Sequence, residues 1–530
     1  MEITKNNITE ELDNITKDLK HACFIGFDAE FTGLLSGDRY KHRLFDTNEQ
    51  RYDIMKNEIE KITITQVGLT MFRYERDLDS YVATGYTFHL CPQDFGDIDQ
   101  SFLFQASTLK FLSKHKFNFN KFIYEGLHYL SQSEEAHIRK QLENKCLLSN
   151  LLRNLSIEEE KLLQICCSEV SKWLINSEDE TMYLDIVDPV LRYLVHSEIR
   201  QRFPKVFTTD SLGNSHKVLI YRTKDTDGAH NAPMTTLEEN LMTHLLGFSQ
   251  IIKLLTLHQK PLIGHNIFTD LLLFHNQFIG PLPMKYSSFK KNINRNFPII
   301  FDTKLISHEM AKKLTFDEVW KSNALQDLYE FFSEGKCKKL ERGVNLIKLS
   351  VPFNDNQSYH EAGWDSFCTG YCFVRLGHWA GVEQAGCARP LAPSMKLAAL
   401  KQYQNKVNVI RAAVPYMNIV EDDPPSHRPR LLHVKSLNER VINISKVAVV
   451  LSGLGSIDVK PLGTRTALVA AATQHTVDKI LNQFRDSRDY KISAYNVYRH
   501  STPGRMAVWS GALITGSLML LLVHKNMNHH

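Results

Sequence analysis

The chain has 530 residues and a mass of 61.0 kDa, which is too long for one hydrophobic core, so about two to four domains are expected. Hydrophobic residues make up 43% of the chain and charged residues 23%, ordinary globular values that exclude a disordered, collagen-like or polytopic membrane protein. The formal net charge is only +4, so a nucleic-acid site would have to be a local groove and not a general basic coat.

Two stretches, from about 20 to 130 and from about 235 to 385, alternate apolar strands with helical patterns. The strand candidates are Ala22–Phe27, Ile62–Phe72, Thr87–Leu90, Pro261–Gly264 and Pro298–Phe301. Helical patterns lie between them, for example the apolar stripe of Leu245–Leu257. The sequence therefore predicts an α/β sheet domain that a long insertion divides into 1–144 and 233–420.

The first predicted strand ends in two acidic residues, Asp28 and Glu30. Side chains at i and i+2 of a strand point to the same face, so the two carboxylates project together. They repel each other, and the pair is costly unless a cation neutralises it. Because oxygen ligands favour a hard ion, the pair indicates Mg²⁺ or Mn²⁺, although a solvated surface pair is the commoner explanation for two acids alone.

The insertion, 145–232, is predicted to be a small α/β module. Ser156 and Glu159 form a capping box that predicts the start of an amphipathic helix. Arg192 and His196 are four residues apart and lie on one face of a second predicted helix. Their spacing resembles the signature of a nucleic-acid-binding module named for its Arg-x-x-x-His pattern. The pair is a candidate RNA contact, with a solvated helix face as the alternative.

Two further acids and a histidine could join the first-strand pair. Asp270 follows the strand and glycine turn Pro261–Gly264, in the first turns of a predicted helix. His360 and Asp365 are five residues apart, which suits a loop histidine followed by a helix with the aspartate in its first turn. Asp302 also ends an apolar strand, but its Asp-Thr-Lys sequence predicts a helix N-cap, so we exclude it from the metal site.

After an acidic, proline-rich break, residues 430–497 follow the order β-α-β-β-α-β. The predicted elements are Leu431–Leu437, Ile444–Leu454, Ser456–Lys460, Arg465–Ala472, Val477–Phe484 and Tyr490–Tyr495. This order predicts a ferredoxin-like α+β sandwich similar to an RNA-recognition module (RRM). Such modules stack bases on aromatic side chains of the sheet, and the third strand here has none. We therefore expect a degenerate module that serves as a packing or partner surface.

The C-terminal segment 506–523 contains no charged residue and ends in an apolar run. A helix of this length would rise roughly 27 Å, just enough to cross a hydrocarbon core. The sequence therefore predicts a single transmembrane tail anchor, with a buried core helix as the alternative. The short span and basic flanks favour the mitochondrial outer membrane. Nine cysteines without a Cys-x-x-Cys pair fit the reducing cytosolic side, which the rest of the chain would face.

The four acids and the histidine together resemble the site of the histidine-bearing branch of the DEDD exonuclease superfamily, whose catalytic domain has an RNase H-like fold. The set comprises Asp28, Glu30, Asp270, His360 and Asp365. Further stretches of the sequence are similar to the poly(A)-specific ribonuclease family. These stretches are residues 27–33, 51–52, 65–68, 117–121, 264–266, 302–305 and 360–363. The resemblance covers roughly residues 20–420, and so many matches in order are highly specific.

The resemblance implies hydrolysis of phosphodiester bonds with two Mg²⁺ ions, for which Mn²⁺ can substitute. Asp28 would bridge both ions. Glu30 and Asp365 would complete one ion, and Asp270 would hold the other. His360 is the candidate general base, because a histidine with a pKa near roughly 6.5 accepts a proton near neutrality. A structural histidine is the alternative.

Four further positions match residues that line the RNA 3′ end in the resembled family. They are Phe31, Phe119, Asn266 and Lys304. Stacking on the aromatic rings would tolerate any base. Core packing is the alternative for the two phenylalanines, and a solvated side chain is the alternative for the lysine.

Within this family, the predicted membrane segment and the missing stacking aromatics resemble a membrane-anchored branch that shortens the 3′ ends of PIWI-interacting RNA precursors. That branch implies 3′→5′ hydrolysis of single-stranded RNA held by a PIWI-type Argonaute, with a Tudor-domain adaptor on mitochondria. The wider family implies a homodimer. Two alternatives stay open: a deadenylase acting on poly(A) tails, and an inactive membrane-tethered RNA-binding scaffold. The intact acidic set argues against the scaffold.

Overall fold

The computed structural model describes residues 1–33, 42–144, 146–211, 214–222, 234–313, 320–334, 344–351, 359–385, 391–426 and 428–527. The chain forms two compact units. The first combines Met1–Leu35 with Met55–Asn408, and the second combines Ser36–Ile54 with Val409–His530. The domain boundaries predicted at 145 and at 232–233 lie outside the described residues, so this division stays a prediction.

Strands and helices occur in both units. The strands are β1 (Glu2–Ile3), β2 (Phe24–Phe31), β3 (Ile64–Glu75), β4 (Ser80–His89), β5 (Thr181–Asp185), β6 (Val206–Ser211), β7 (Asn214–Arg222), β8 (Leu262–Gly264), β9 (Ile300–Asp302), β10 (Ile347–Leu349), β11 (Lys406–Asn408), β12 (Tyr416–Asn418), β13 (Leu432–Ser436), β14 (Ile457–Gly463), β15 (Thr466–Ala471) and β16 (Tyr490–Ala494). The helices are α1 (Ile8–His21), α2 (Asn48–Ile59), α3 (Ala106–Lys114), α4 (Phe119–Glu125), α5 (Gln132–Glu143), α6 (Leu147–Arg153), α7 (Ile157–Asn176), α8 (Pro189–Arg202), α9 (Met234–Leu246), α10 (Ser249–His258), α11 (Phe268–Phe274), α12 (Tyr286–Asn296), α13 (Thr303–Ala311), α14 (Leu325–Ser333), α15 (Ala362–Ala385), α16 (Pro393–Leu400), α17 (Ile444–Ser452), α18 (Gln474–Gln483), α19 (Val497–His500) and α20 (Thr502–Met527).

The first unit contains a mixed seven-stranded sheet, in agreement with the predicted α/β class. Its strands run in the order β1-β4-β3-β2-β8-β9, and β10 also pairs with β4. β3 is antiparallel to both of its neighbours, β2 and β4, whereas β8 and β9 continue the sheet parallel to β2. The strand predicted as Ala22–Phe27 extends to Phe31, so both first-strand acids lie inside β2.

Helix α15 lies on this sheet at a distance that only glycine permits. A β-carbon at Gly68 of β3 would be 1.8 Å from the Ala362 carbonyl oxygen, and one at Gly26 of β2 would be 2.1 Å from that of Ser366. The hydroxyls of Thr70 and Ser366 are hydrogen-bonded at 2.7 Å between the same elements. The two glycines therefore let the first turns of α15 rest directly on β2 and β3.

The prediction of one helix over Leu245–Leu257 is wrong. α9 ends at Leu246 and α10 begins at Ser249, because Gly247 between them has a φ of +44°. A β-carbon at Gly247 would be 2.1 Å from the His128 carbonyl oxygen. The close approach of two backbone segments thus interrupts an apolar stripe that reads as continuous in the sequence.

The predicted insertion contains a small sheet in the order β5-β7-β6, with antiparallel pairs. The predicted capping box is confirmed at the start of α7, where Glu159 N donates to the Ser156 hydroxyl at 3.2 Å and Ser156 N donates to the Glu159 carboxylate at 2.8 Å. Apolar residues of α7, α8 and the sheet share one core, which includes Trp173, Val195 and Val218.

The second unit contains the predicted β-α-β-β-α-β domain. Its strands run in the order β14-β15-β13-β16, which is the ferredoxin-like arrangement. Val434 and Val469 of the sheet share a core with Val447 of α17 and Ile480 of α18. The predicted topology of this domain is therefore confirmed.

Residues of the chain itself contact the other face of this sheet. Asp458 of β14 accepts a hydrogen bond from Leu44 N at 2.6 Å and pairs with the Arg411 guanidinium at 2.7 Å. The Lys460 ammonium lies 4.5 Å from the centre of the Phe45 ring. This is the face on which an RNA-recognition module stacks bases, so the contacts agree with the prediction of a packing surface.

The segment predicted to span a membrane is helical, as α20, and exposes apolar side chains such as Trp509 and Leu513. Across the described part of the chain, however, no helix combines the length and the apolar character that a bilayer crossing needs. The membrane crossing predicted for 506–523 is therefore not supported by the described helices, and attachment through this segment stays a prediction. Five of the eight residues 510–517 are glycine, serine or threonine, which dilute the apolar run, and the side chains of its last two residues are not described.

Candidate active site

Three elements of the first unit bring the predicted site residues together. Strand β2 carries Asp28 and Glu30. Asp270 lies in the first turn of α11, and Asp365 lies in the first turn of α15. His360 is on the loop that precedes α15, as its spacing from the aspartate predicts.

Glu30, His360 and Asp365 meet at one centre. One potential ligand atom from each residue lies within 4.8 Å of those from the other two. Asp28 and Asp270 belong to the same electrostatic cluster, because the charges of the other three carboxylates all raise the pKa of Asp28. The structure therefore gathers all five residues that the sequence predicts for this site.

The four carboxylates are harder to ionise than free ones. Burial is the largest cause, and it raises the pKa of Asp28 and of Glu30 well above their ordinary values. Burial also raises the pKa of Asp270 and of Asp365 to about 7. The backbone amide of His360 offsets part of this effect by donating to Asp365 Oδ2 at 3.0 Å. A bound cation would relieve the remaining repulsion.

The donor set fits a hard divalent cation. Asp365 Oδ1 is buried, and no group among the described residues donates a hydrogen bond to it. Apart from His360, the cluster offers only carboxylate oxygens, which Mg²⁺ and Mn²⁺ prefer. A cation at this centre would supply the missing partner of Asp365 and would lower the pKa values of the surrounding acids.

His360 is held in an uncommon backbone conformation, with a φ of +68°. Non-glycine residues in this region are strained, and they persist where the surrounding structure holds them, often at functional sites. The His360 ring packs against the rings of Phe111 and His115, with centroid distances of 4.7 and 4.3 Å. The partial loss of solvent around its ring and the charge of His115 lower the pKa of His360.

Two polar residues at this centre were missed in the sequence. Glu361 accepts hydrogen bonds from Thr87 Oγ1 at 2.7 Å and from Trp364 N at 2.9 Å, and its charge raises the pKa of three of the site acids. Gln66 Oε1 accepts from Ala362 N at 2.9 Å and ties α15 to β3. Both residues lie inside stretches that resemble the family. Their spacing in the sequence does not show whether such a side chain binds a metal or only holds neighbouring residues in place.

The four positions predicted to line an RNA 3′ end are spread over four elements. Phe31 ends β2 just after a bulge, and Phe119 begins α4 within a group of phenylalanine rings. Asn266 has a φ of +65°, and its Oδ1 accepts from Asn408 Nδ2 at 2.7 Å. Lys304 is half-buried at the start of α13, and burial lowers its pKa. Contact of these side chains with RNA stays a prediction.

Asp302 has the N-cap role that the sequence predicts. Its carboxylate accepts from Lys304 N at 3.0 Å and from Leu305 N at 3.3 Å, at the start of α13. The same carboxylate accepts from the backbone amides of Asn266 and Asn408, both at 3.0 Å. Asp302 thus joins three chain segments, which agrees with its exclusion from the metal site.

The structure buries the histidine of the Arg-x-x-x-His pair, whereas the sequence predicts that both residues lie on an exposed helix face. The His196 side chain is only 1% exposed, and its ring contacts Thr208 Oγ1 at 2.7 Å and Asp210 Oδ1 at 3.2 Å. As placed, His196 fastens α8 to β6 and does not face RNA. Arg192 lies 3.4 Å from the same carboxylate and borders a cavity of about 350 Å³ together with Lys5. An RNA contact of Arg192 stays a prediction.

Comparison with known proteins adds to this geometry. The sequence matches the CAF1 family ribonuclease description over residues 3–373. It is 60% identical to the pre-piRNA 3′-exonuclease trimmer of Bombyx mori over 99% of both chains. It is 30% identical to the human poly(A)-specific ribonuclease PNLDC1, over 92% of this chain and 94% of that protein. The solved structure of S. pombe Pop2p with Mg²⁺ and Mn²⁺ bound is 13% identical, with a TM-score of 0.33 over 71% of this chain and 90% of that chain.

Proposed function

This chain belongs to the CAF1 family of ribonucleases, and on that premise we propose that it is a 3′→5′ exoribonuclease that trims the 3′ ends of PIWI-interacting RNA precursors. The observation that carries the proposal is the 60% identity to the Bombyx trimmer, which runs through 99% of both chains and is not limited to the nuclease segment. The five-residue centre supports it, because a hydrolase of this kind needs its acids and its base at one place.

The acids would hold the two divalent cations, Mg²⁺ or in its place Mn²⁺. Asp28 would bridge them, Glu30 and Asp365 would complete one, and Asp270 would hold the other. When bound, the cations supply an activated water and stabilise the charge that develops on the departing 3′ oxygen.

His360 would act as the general base. Its ring is neutral near pH 7, and one of its nitrogens belongs to the same 4.8 Å group as the oxygens of Glu30 and Asp365. It could therefore take a proton from a water placed between these groups. Around the leaving nucleotide, the Phe31 and Phe119 rings would stack on bases. The remaining contacts would come from Asn266 and Lys304, the latter with a phosphate.

The substrate would be single-stranded RNA whose 3′ end projects from a PIWI-type Argonaute. In this arrangement, residues 1–144 and 233–420 perform the hydrolysis, and 145–232 forms a module beside them. The degenerate RRM-like domain 430–497 offers a surface for a protein partner, because its own chain occupies the base-stacking face. A Tudor-domain adaptor on mitochondria and a second copy of the chain are the partners that the family resemblance proposes.

Substrate choice separates trimming from deadenylation. We expect the purified full-length protein to shorten a mixed-sequence RNA as fast as oligo(A), to within about tenfold, because stacking and backbone contacts tolerate any base. The measurement is the rate of 3′ shortening of free and Argonaute-bound RNAs with Mg²⁺, using the Asp28→Asn variant as the inactive control. A preference for free oligo(A) far above tenfold, with no trimming of Argonaute-bound RNA, would identify a deadenylase.

Location is a separate part of the proposal. Apolar side chains stay exposed along α20, including Trp509, Leu513 and Leu520, and basic residues flank them. We expect this helix to hold the protein on the mitochondrial outer membrane with the nuclease in the cytosol. A chain lacking residues 502–530 should then leave the mitochondrial fraction while retaining its activity on free RNA. Unchanged fractionation of the shortened chain would contradict attachment through α20.

A further inference from the structure

The end of helix α3 presents two rings to the active site. Phe111 and His115 are four residues apart and therefore lie on one face of the chain at this helix end. Their ring centroids are 4.6 Å apart. Both rings also contact His360, at 4.7 and 4.3 Å, with interplanar angles of 72° and 66°. We call Phe111, His115 and His360 the three-ring cluster.

His360 needs an external support for its ring. It lies on a loop and is exposed, and the hydrogen bond that fixes it runs from its backbone amide to Asp365. Within the described residues, no group forms a hydrogen bond with its ring nitrogens. A side chain with two rotatable bonds would then sample several rotamers, only some of which direct a nitrogen to the centre formed with Glu30 and Asp365.

His115 is itself fixed well enough to provide that support. It caps the C-terminus of α3, and its backbone amide donates to the carbonyls of Phe111 and Leu112 at 3.2 and 3.1 Å. Lys116, with a φ of +60°, then turns the chain away. The His115 ring is half-buried and approaches the His360 ring more closely than Phe111 does.

We propose that His115 is a positioning residue for the hydrolysis, because its ring holds the His360 imidazole in the orientation that reaches the Glu30 and Asp365 carboxylates. Its role is packing and not proton transfer, so a ring of similar size should replace it. This inference rests on the proposed exonuclease activity, since the turnover of RNA is its main readout.

The test compares three variants of the full-length protein. His115→Ala removes the ring, His115→Phe keeps a ring without the imidazole, and Ser113→Ala changes an exposed residue of the same helix as the matched control. We expect His115→Ala to lower kcat about tenfold or more and to leave KM within about twofold of the wild-type value. The reason is that a small displacement of a catalytic group such as the His360 ring lowers the rate by at least this factor. His115→Phe should restore most of the kcat, and Ser113→Ala should match wild type.

Two further measurements separate positioning from folding and from metal binding. Thermal unfolding and Mn²⁺ titration of His115→Ala should match those of wild type, since the carboxylates are unchanged. A kcat of His115→Ala equal to wild type would overturn the inference, as would a His115→Phe variant as slow as His115→Ala, or a change confined to KM. If wild type itself fails to shorten RNA although it binds Mn²⁺, the proposed function is wrong. If wild type is active and Asp28→Asn is inactive, a wild-type kcat for His115→Ala contradicts only the positioning role.

Discussion

Replacing Asp28 by asparagine is expected to lower the rate of RNA trimming at least about a thousandfold. Asparagine keeps the shape of the side chain but removes the charge that would bridge both cations. The loss of several kcal/mol of transition-state stabilisation corresponds to this factor, at roughly 1.4 kcal/mol for each tenfold change. The measurement is single-turnover shortening of a labelled RNA with Mg²⁺, and with Mn²⁺ as a second cation.

The same substitution should leave the metal-free protein as stable as wild type or more stable. Asp28 is half-buried and lies among acids that repel it, so an amide there removes an unfavourable charge. Asp270 and Asp365 have pKa values near 7 in the fold and an ordinary value of 3.8. Between about pH 4 and pH 7 these two carboxyl groups therefore bind more protons in the folded chain than in the unfolded chain, and their contribution to the stability of the metal-free wild type falls as the pH rises.

Thermal unfolding with EDTA at pH 5 and pH 8 measures this dependence. We expect the melting temperature of wild type to fall by more, or to rise by less, from pH 5 to pH 8 than that of Asp28→Asn, and we expect Mg²⁺ to raise the melting temperature of wild type more at pH 8 than at pH 5. An Asp28→Asn variant that trims RNA at more than about a tenth of the wild-type rate would refute the role of Asp28 in holding the cations.

Substituting Gly68 by alanine is expected to damage both stability and activity. The new β-carbon would lie 1.8 Å from the Ala362 carbonyl oxygen, so α15 has to move away from β3. Overpacking of this kind costs about 1–3 kcal/mol of unfolding free energy. The displaced helix carries Asp365 and follows His360, so kcat should fall by on the order of a hundredfold.

Gly453 provides a matched control for this prediction. It follows α17 in the second unit, has a φ of −62°, and a β-carbon there would meet no atom within 4 Å. We expect Gly453→Ala to keep the wild-type melting temperature and RNA-trimming rate. The close packing of α15 on β3 would be contradicted if Gly68→Ala behaved like Gly453→Ala in both measurements.

The parts of the site that follow periodic patterns were predictable from the sequence. Asp28 and Glu30 share a face because strands alternate, and Asp270 and Asp365 lie in first helical turns because each follows a turn or loop. The family resemblance joined these separate signals into one site. The order of elements in 430–497 was also predictable, since short alternating strands and two amphipathic helices leave few arrangements.

Features that depend on tertiary contacts were not predictable in this way. The break at Gly247 results from the backbone at His128, which is far away in the sequence but packs directly against this glycine, and no local pattern records such a contact. His196 lies on a helix face that reads as polar but is covered by β6, where Thr208 and Asp210 contact its ring. His115 reaches the site only because α3 folds against the loop that carries His360.

The path of the chain between the two units has a practical consequence. The segment Ser36–Ile54 belongs to the second unit, whereas the chain before and after it, Met1–Leu35 and Met55–Asn408, belongs to the first. A gene shortened after codon 420 would still encode this segment but would lack Asp458 and the other residues that receive Leu44 and Phe45. Poor turnover by such a fragment would therefore not by itself locate the catalytic residues, because the truncation also removes the partners of Leu44 and Phe45.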